Sequence, residues 1–198
     1  MGLKATSSFP LGELASVSAG MTQRGAGRSL VRVEQGPHYL RIGDISNRGE
    51  IRIERVLPVS VKESAVRRYL VREGDIVMAN RGGRFTAAIV PRGMIAVASG
   101  QLIVVKGLAK KVKKEYVHWY INLKVTQDFL RTLSRGNRVR TLSMAVLKKE
   151  LVVPVPSILI QERIVEIVRL TAREGRLNGE LGMLRCQWIE GVLLDAAR

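Results

Sequence analysis

Residues 152–165 read Val152-Val153-Pro154-Val155-Pro156-Ser157-Ile158-Leu159-Ile160-Gln161-Glu162-Arg163-Ile164-Val165, and the pattern of the chain changes in their middle. Pro154 and Pro156 close what precedes, because proline fixes φ and has no N–H to donate. Ser157 then offers an N-cap oxygen, and from there to Ala196 no proline interrupts a helical pattern. Ile160, Ile167, Glu174, Leu181 and Trp188 fall seven residues apart, and Leu170, Leu177 and Leu184 fill the complementary seam. That is the a/d register of a coiled coil. At 1.5 Å per residue such a helix is about 60 Å long. Glu174 interrupts the seam, and Gly175, Gly179, Gly182 and Gly191 each cost roughly 1 kcal/mol relative to alanine. Packing back on its own body is one outcome for this helix. Its length argues instead for pairing with another helix through Ile164, Ile167, Leu170, Leu177, Leu181, Leu184 and Trp188.

Charge divides the chain at the same place. Residues 1–156 hold 27 Lys/Arg against 11 Asp/Glu, the whole of the +16 surplus, whereas residues 157–198 hold six of each. A basic body on a charge-balanced amphipathic helix implies two jobs, one toward a polyanion and one toward a protein. Nucleic acid fits the first, because closely spaced phosphates reward many Lys/Arg contacts by releasing counterions. The charges are spread over 150 or so residues rather than beside one amphipathic helix, which argues against a membrane surface. Apolar runs such as Leu151–Ile160 are broken by prolines and too short to span a bilayer. Apolar content of 46% permits a real core. One cysteine, Cys186, cannot form an internal disulfide, in keeping with a cytoplasmic protein. With only His38 and His118 beside it, structural zinc is not expected, nor is any other metal or cofactor.

From Phe9 to Val105 the sequence reads as short strands with turn signals: Tyr39–Ile42, Glu50–Leu57, Asp75–Ala79, Ala87–Val90 and Gln101–Lys106. Leu11–Val17 reads as a short helix or turn leading into a Gly20–Ser29 loop, and Ser60–Val71 includes a helical turn. Over 115–134 apolar residues recur at helical spacing, which predicts one or two helices, with Trp119 and Tyr120 as core rather than as stacking platforms for bases. Arg131–Lys149 carries six Lys/Arg and no acid. The fold class expected is α+β, with a β-rich body over 1–156, peripheral helices, and one long C-terminal helix over 157–198.

The order of motifs resembles the DNA-specificity (S) subunits of type I restriction–modification systems. The resemblance rests on Pro10-Leu11-Gly12-Glu13-Leu14-Ala15 with Ser18-Ala19-Gly20, and on Tyr39-Leu40-Arg41-Ile42-Gly43-Asp44-Ile45 leading to Gly49-Glu50-Ile51. Val71-Arg72-Glu73-Gly74-Asp75-Ile76-Val77, Asn80-Arg81-Gly82, Ala88-Ile89-Val90-Pro91 and Ala98–Val105 follow. Gly136-Asn137, Leu142, Leu147, Val152–Pro156 and Gln161-Glu162-Arg163-Ile164-Val165 complete it nearly to the end. It implies a target-recognition domain followed by a spacer helix. Such a subunit is not a catalyst but reads sequence for methyltransferase (M) and restriction (R) subunits. In keeping with that, the chain has no Asn/Asp-Pro-Pro-Tyr/Phe motif, no Walker motif and no carboxylate cluster of the kind a nuclease uses.

Members of that family carry two recognition domains and two helices, and this sequence has one of each. Two copies about a twofold axis would complete it and would read inverted half-sites held at a spacing set by the helices. A piece of a two-domain subunit is the alternative, and a basic RNA-binding or assembly factor is the reading outside the family. The residues placed on DNA are Arg24, Arg28, Arg41, Asn80, Arg81, Arg84, Arg135, Asn137, Arg138 and Arg140. Arginine suits guanine and asparagine suits adenine in bidentate geometry, and arginine also holds phosphates.

Overall fold

The computed structural model describes residues 6–22, 31–34, 36–60, 67–136 and 138–197. The chain opens with β1 (Ser7–Pro10), a single helical turn α1 (Leu11–Leu14) and β2 (Ser16–Ala19). Short strands follow: β3 (Val31–Arg32), β4 (His38–Leu40), β5 (Val59–Ser60), β6 (Leu70–Arg72), β7 (Ile76–Ala79), β8 (Ala87–Ile89), β9 (Ile95–Ala98) and β10 (Leu102–Lys106). Three helices, α2 (Lys114–Asn122), α3 (Lys124–Leu133) and α4 (Met144–Glu150), precede β11 (Val152–Val155) and the terminal helix α5 (Ile158–Ala196).

The central sheet is antiparallel in the order β2-β10-β7-β8, and its middle strands are buried on both faces. Their side chains alternate accordingly. Ile76, Met78, Ile103 and Val105 point into a core shared with α1 to α4, where Leu11, Leu14, Phe85, Val117, Ile121, Leu130 and Leu147 are buried. Val77, Leu102 and Val104 point the other way, onto Leu40, Val71, Ala96 and Ala98 of a second sheet ordered β4-β9-β6. The body is thus a layer of helices, a central sheet and a smaller sheet. Strand β1 pairs with β11, so the two ends of the body close on each other. Pro10 and Pro154 sit in that two-stranded ribbon, which tolerates their missing donors.

The sheet edge at β8 is covered by side chains rather than by another strand. Ala87 N–H donates to Asn122 Oδ1 (3.0 Å), and Ala87 O accepts from Asn122 Nδ2 (2.9 Å) and from His118 Nε2 (3.1 Å). His118 Nε2 also meets Gly49 O at 3.1 Å, so this nitrogen carries a proton. Burial holds the His118 pKa below its ordinary 6.5, and the two carbonyl contacts offset part of that. Gly49 has φ +77°, and a Cβ there would lie 2.6 Å from Ala87 O, so no other residue fits this junction.

The α+β class, the two helices across 115–134 and the long C-terminal helix are as the sequence predicts. Trp119 and Tyr120 are half-buried against the core. Leu11–Val17 splits into α1 and the start of β2. Two expected strands differ. Tyr39–Ile42 shortens to β4, after which Ile42–Asp44 turns as a 3-10 helix. Glu50–Leu57 is not a strand: Ile51 makes one bridge to Ile45, and Ile53–Arg55 is a 3-10 turn. It bonds to its neighbours only in isolated places, as from Arg52 N to Asp44 O (2.8 Å) and from Tyr39 N to Leu57 O (3.1 Å), and between these the 3-10 turn leaves Ile53 56% exposed. Most of the expected Gly20–Ser29 loop, and 61–66 of the expected helical turn, lie outside the described residues.

Helix α5 begins at Ser157, whose side chain makes no capping hydrogen bond. Its first turns are fixed by Gln161, which is fully buried. Gln161 Oε1 accepts from Lys113 N, and its Nε2 donates to Lys111 O and Pro156 O, all at 2.9 Å. Ile164 and Val165 pack on the core. Beyond them every described residue is exposed. None of the described helices is long and apolar enough to cross a membrane.

Candidate nucleic-acid interface

Two segments about 55 residues apart meet at one edge of the body. The chain leaves β7 at Asn80 and turns through Arg81–Arg84, while Arg135 and Thr141 pair with each other through Arg135 N→Thr141 O (3.0 Å) and Thr141 N→Arg135 O (2.8 Å). Gly82 N donates to Arg140 O (3.0 Å), Leu142 N donates to Asn80 O (2.8 Å), and Arg81 bridges Thr141. Arg131 Nε donates to Gly83 O (2.9 Å) and Arg140 Nη1 to Arg131 O (2.9 Å), which ties both segments to the end of α3. Arg81, Arg84, Arg135, Arg138 and Arg140 are all exposed along this edge. No acid lies between Arg131 and Lys149, so nothing in that run neutralises it.

These side chains do not have equal freedom. Arg140 is spent partly on its bond to Arg131 O. Asn80 is half-buried, with its Nδ2 donating to Gly100 O (3.0 Å) and its Oδ1 without a partner. A bidentate contact from Asn80 to adenine would require that bond to break, because it needs the amide donor as well as the acceptor. Arg24, Arg28 and Asn137 lie outside the described residues.

Arg81 also lines an open cleft of about 550 Å³ on the neighbouring surface. Arg41 stands on its wall, its side chain 56% exposed, with Asp44 Oδ2 3.9 Å from its Nε. Met21, Leu57 and Val59 give the cleft an apolar side, and Tyr39, Ser99 and Gln101 face it. Burial raises the Tyr39 phenol above its usual pKa of 10.0, and the Arg41 charge pulls it partly back. The floor depends on Gly20, where a Cβ would lie 2.1 Å from Ser99 O, so only glycine lets the chain pass the Ala98–Gly100 turn this closely. Tyr39, Ser99 and Gln101 were not among the residues placed on DNA from sequence, because only the meeting of β4 with the turn before β10 puts them in one place. The carboxylate beside Arg41 serves the backbone: Asp44 Oδ2 accepts from Arg41 N (2.7 Å).

No protein-family model matches the sequence, and no curated protein matches it. Solved structures do. A chain from a structure of the type I R-M system, in a study of its complex assembly and conformational transition, superposes with a TM-score of 0.66 at 12% identity, over 88% of this chain and 40% of that one. The HsdS subunit from Thermoanaerobacter tengcongensis gives 0.62 at 12% identity, over 85% and 37%. The fold is that of an HsdS specificity subunit. The type I S subunit from M. genitalium agrees, at 0.56 and 10% identity over 85% and 39%. The type IIG restriction endonuclease BpuSI matches over 82% of this chain and 26% of its own, at 0.59 and 9% identity. This chain therefore spans about two fifths of the HsdS-type structures it resembles.

Proposed function

We propose that this chain is a DNA-specificity module of a type I restriction–modification system. Residues 1–156 form the recognition domain, which reads one half of a bipartite DNA target, and residues 157–198 form a spacer helix that pairs with a second copy of itself. The observation that carries this reading is the arginine edge, built from two distant segments on a body with the HsdS fold. Loops on that edge position the phosphates and read base edges. The helix supports the second half of the proposal. Ile167, Leu170, Leu177, Leu181, Leu184 and Trp188 are 49–71% exposed, an apolar seam that water does not favour. An isologous pair buries it and relates two identical readers by a twofold axis, so the target is an inverted repeat with a spacer fixed by the helices. Ile164 is already committed to the body and contributes little to this seam.

The module works on DNA in the cytoplasm, directing methyltransferase subunits and, in a complete system, a restriction subunit to the site. In this reading it reads sequence and supplies no catalytic step. Light scattering at several concentrations, followed by selection from a randomised duplex pool, tests the reading. The expected results are a mass twice that of the monomer and enrichment of an inverted repeat with one spacer length. A strict monomer enriching a single half-site would refute the paired-helix part. No enrichment, with structured RNA competing better than duplex, would refute the whole.

A further inference from the structure

A duplex is read by convex elements, because its major groove admits a helix or a two-stranded ribbon that reaches inward to the bases. A concave site cannot follow a stacked pair into a groove. It fits a nucleotide that has left the stack. The cleft beside the arginine edge is concave, and its volume of about 550 Å³ lies in the range of small-ligand sites. We propose that this cleft receives one unstacked nucleotide of a DNA strand, its base against the Tyr39 ring and the apolar wall, its phosphate between Arg41 and Arg81, and a polar base edge at Ser99. The proposal rests on the DNA-binding reading above and adds to it a second mode of contact.

Three observations support it. Ser99 lines the cleft, is only 4% exposed, and its Oγ has no hydrogen-bond partner. Among the described residues only Asn80 Oδ1 shares that condition. A buried hydroxyl left unpaired is costly in the empty protein, and a ligand atom in the cleft removes the cost once Ser99 turns about its Cα–Cβ bond. Two cations reach the cleft: Arg81, which makes no ion pair among the described residues, and Arg41, whose side chain is 56% exposed and meets Asp44 only at 3.9 Å. Finally, the lining combines the chemistries that a nucleotide's base and phosphate need, an aromatic ring and three apolar side chains (Met21, Leu57 and Val59) together with two guanidinium groups. Stacking on an aromatic ring is tolerant of base identity, so the cleft holds a strand without itself dictating sequence.

Fluorescence anisotropy with a short single strand of mixed sequence, and separately with the same sequence as a duplex, tests this on the full chain. Tyr39→Ala is expected to weaken single-strand binding by roughly tenfold or more, with Tyr39→Phe retaining it. Ser99→Ala should weaken it about fivefold or more while leaving Tm unchanged or raised, because the hydroxyl it removes is unpaired in the free protein. Duplex binding should change by less than twofold in each variant. A merely structural Ser99 would instead lower Tm, and that result overturns the proposal. So does single-strand binding that all three variants leave intact, or competition by inorganic phosphate as effective as by a deoxynucleoside monophosphate. If the wild-type chain binds neither strand form, the DNA-binding reading itself has failed. Normal duplex binding with an indifferent cleft rejects only this inference.

Discussion

Replacing Gln161 by alanine isolates the joint between the body and its long helix. The side chain is fully buried and satisfies one donor and two acceptors of the backbone, at Lys113, Lys111 and Pro156. Alanine removes three hydrogen bonds at about 1 kcal/mol each and strands the groups that made them, so about 3 kcal/mol should be lost. The Lys113–Glu162 pair alongside is 37% and 49% exposed and, as a surface ion pair, cannot compensate for more than about 1 kcal/mol. With a urea slope of about 2 kcal/mol/M, the unfolding midpoint should fall by about 1.5 M. The reporter should be Trp119, half-buried on the core, in a Trp188→Phe background, because Trp188 is 71% exposed and reports on the helix instead. Gln161→Glu should be worse than alanine, since a carboxylate has no proton for either carbonyl and buries a charge. A midpoint shift below about 0.3 M in both variants, less than about 0.6 kcal/mol at the same slope, would refute the view that Gln161 fixes the helix to the body.

Other consequences can be measured directly. Arg138→Ala should weaken binding to the selected target by about 1–3 kcal/mol if Arg138 reads a base, and equal losses on target and non-target duplex would assign it to phosphate instead. Leu181→Asp should leave the chain monomeric at concentrations where the wild type is paired, and a variant of unchanged mass would move the interface elsewhere. His118 gives stability a pH dependence of defined sign. Its folded pKa is depressed, so below 6.5 the unfolded chain takes up the proton more readily and stability falls as the pH drops, while above 6.5 the contribution is full. Urea midpoints a unit above and below 6.5 should differ in the wild type and differ less in His118→Gln, and an unaltered difference would exclude His118 as its source.

By itself the sequence determined what depends on short range. The proline-free heptad pattern after Pro156 specified a long helix despite Glu174 in the seam, since helical hydrogen bonds are local and no proline there blocks them. Asp75–Ala79 and Gln101–Lys106, rich in β-branched residues between turn signals, specified strands; that both faces of them are buried came from the structure. The basic surplus of 1–156 needed no coordinates. Tertiary structure decided the rest, because it depends on which distant segments touch. Glu50–Leu57 has a strand's alternation, yet only its ends meet other backbone, as at Asp44 and Tyr39, and its middle turns as a 3-10 helix instead. Gln161 and Asn122 are polar residues that became structural only where unpaired backbone groups met them. Arg81, Arg135 and Arg140 became one edge because Leu142 N donates to Asn80 O and Gly82 N to Arg140 O, and Ser99 joined Arg41 and Tyr39 because Gly20 let two turns approach within contact. No local pattern encodes such pairings. They are set by the packing of the two cores, where each side chain's place is fixed by neighbours remote in sequence.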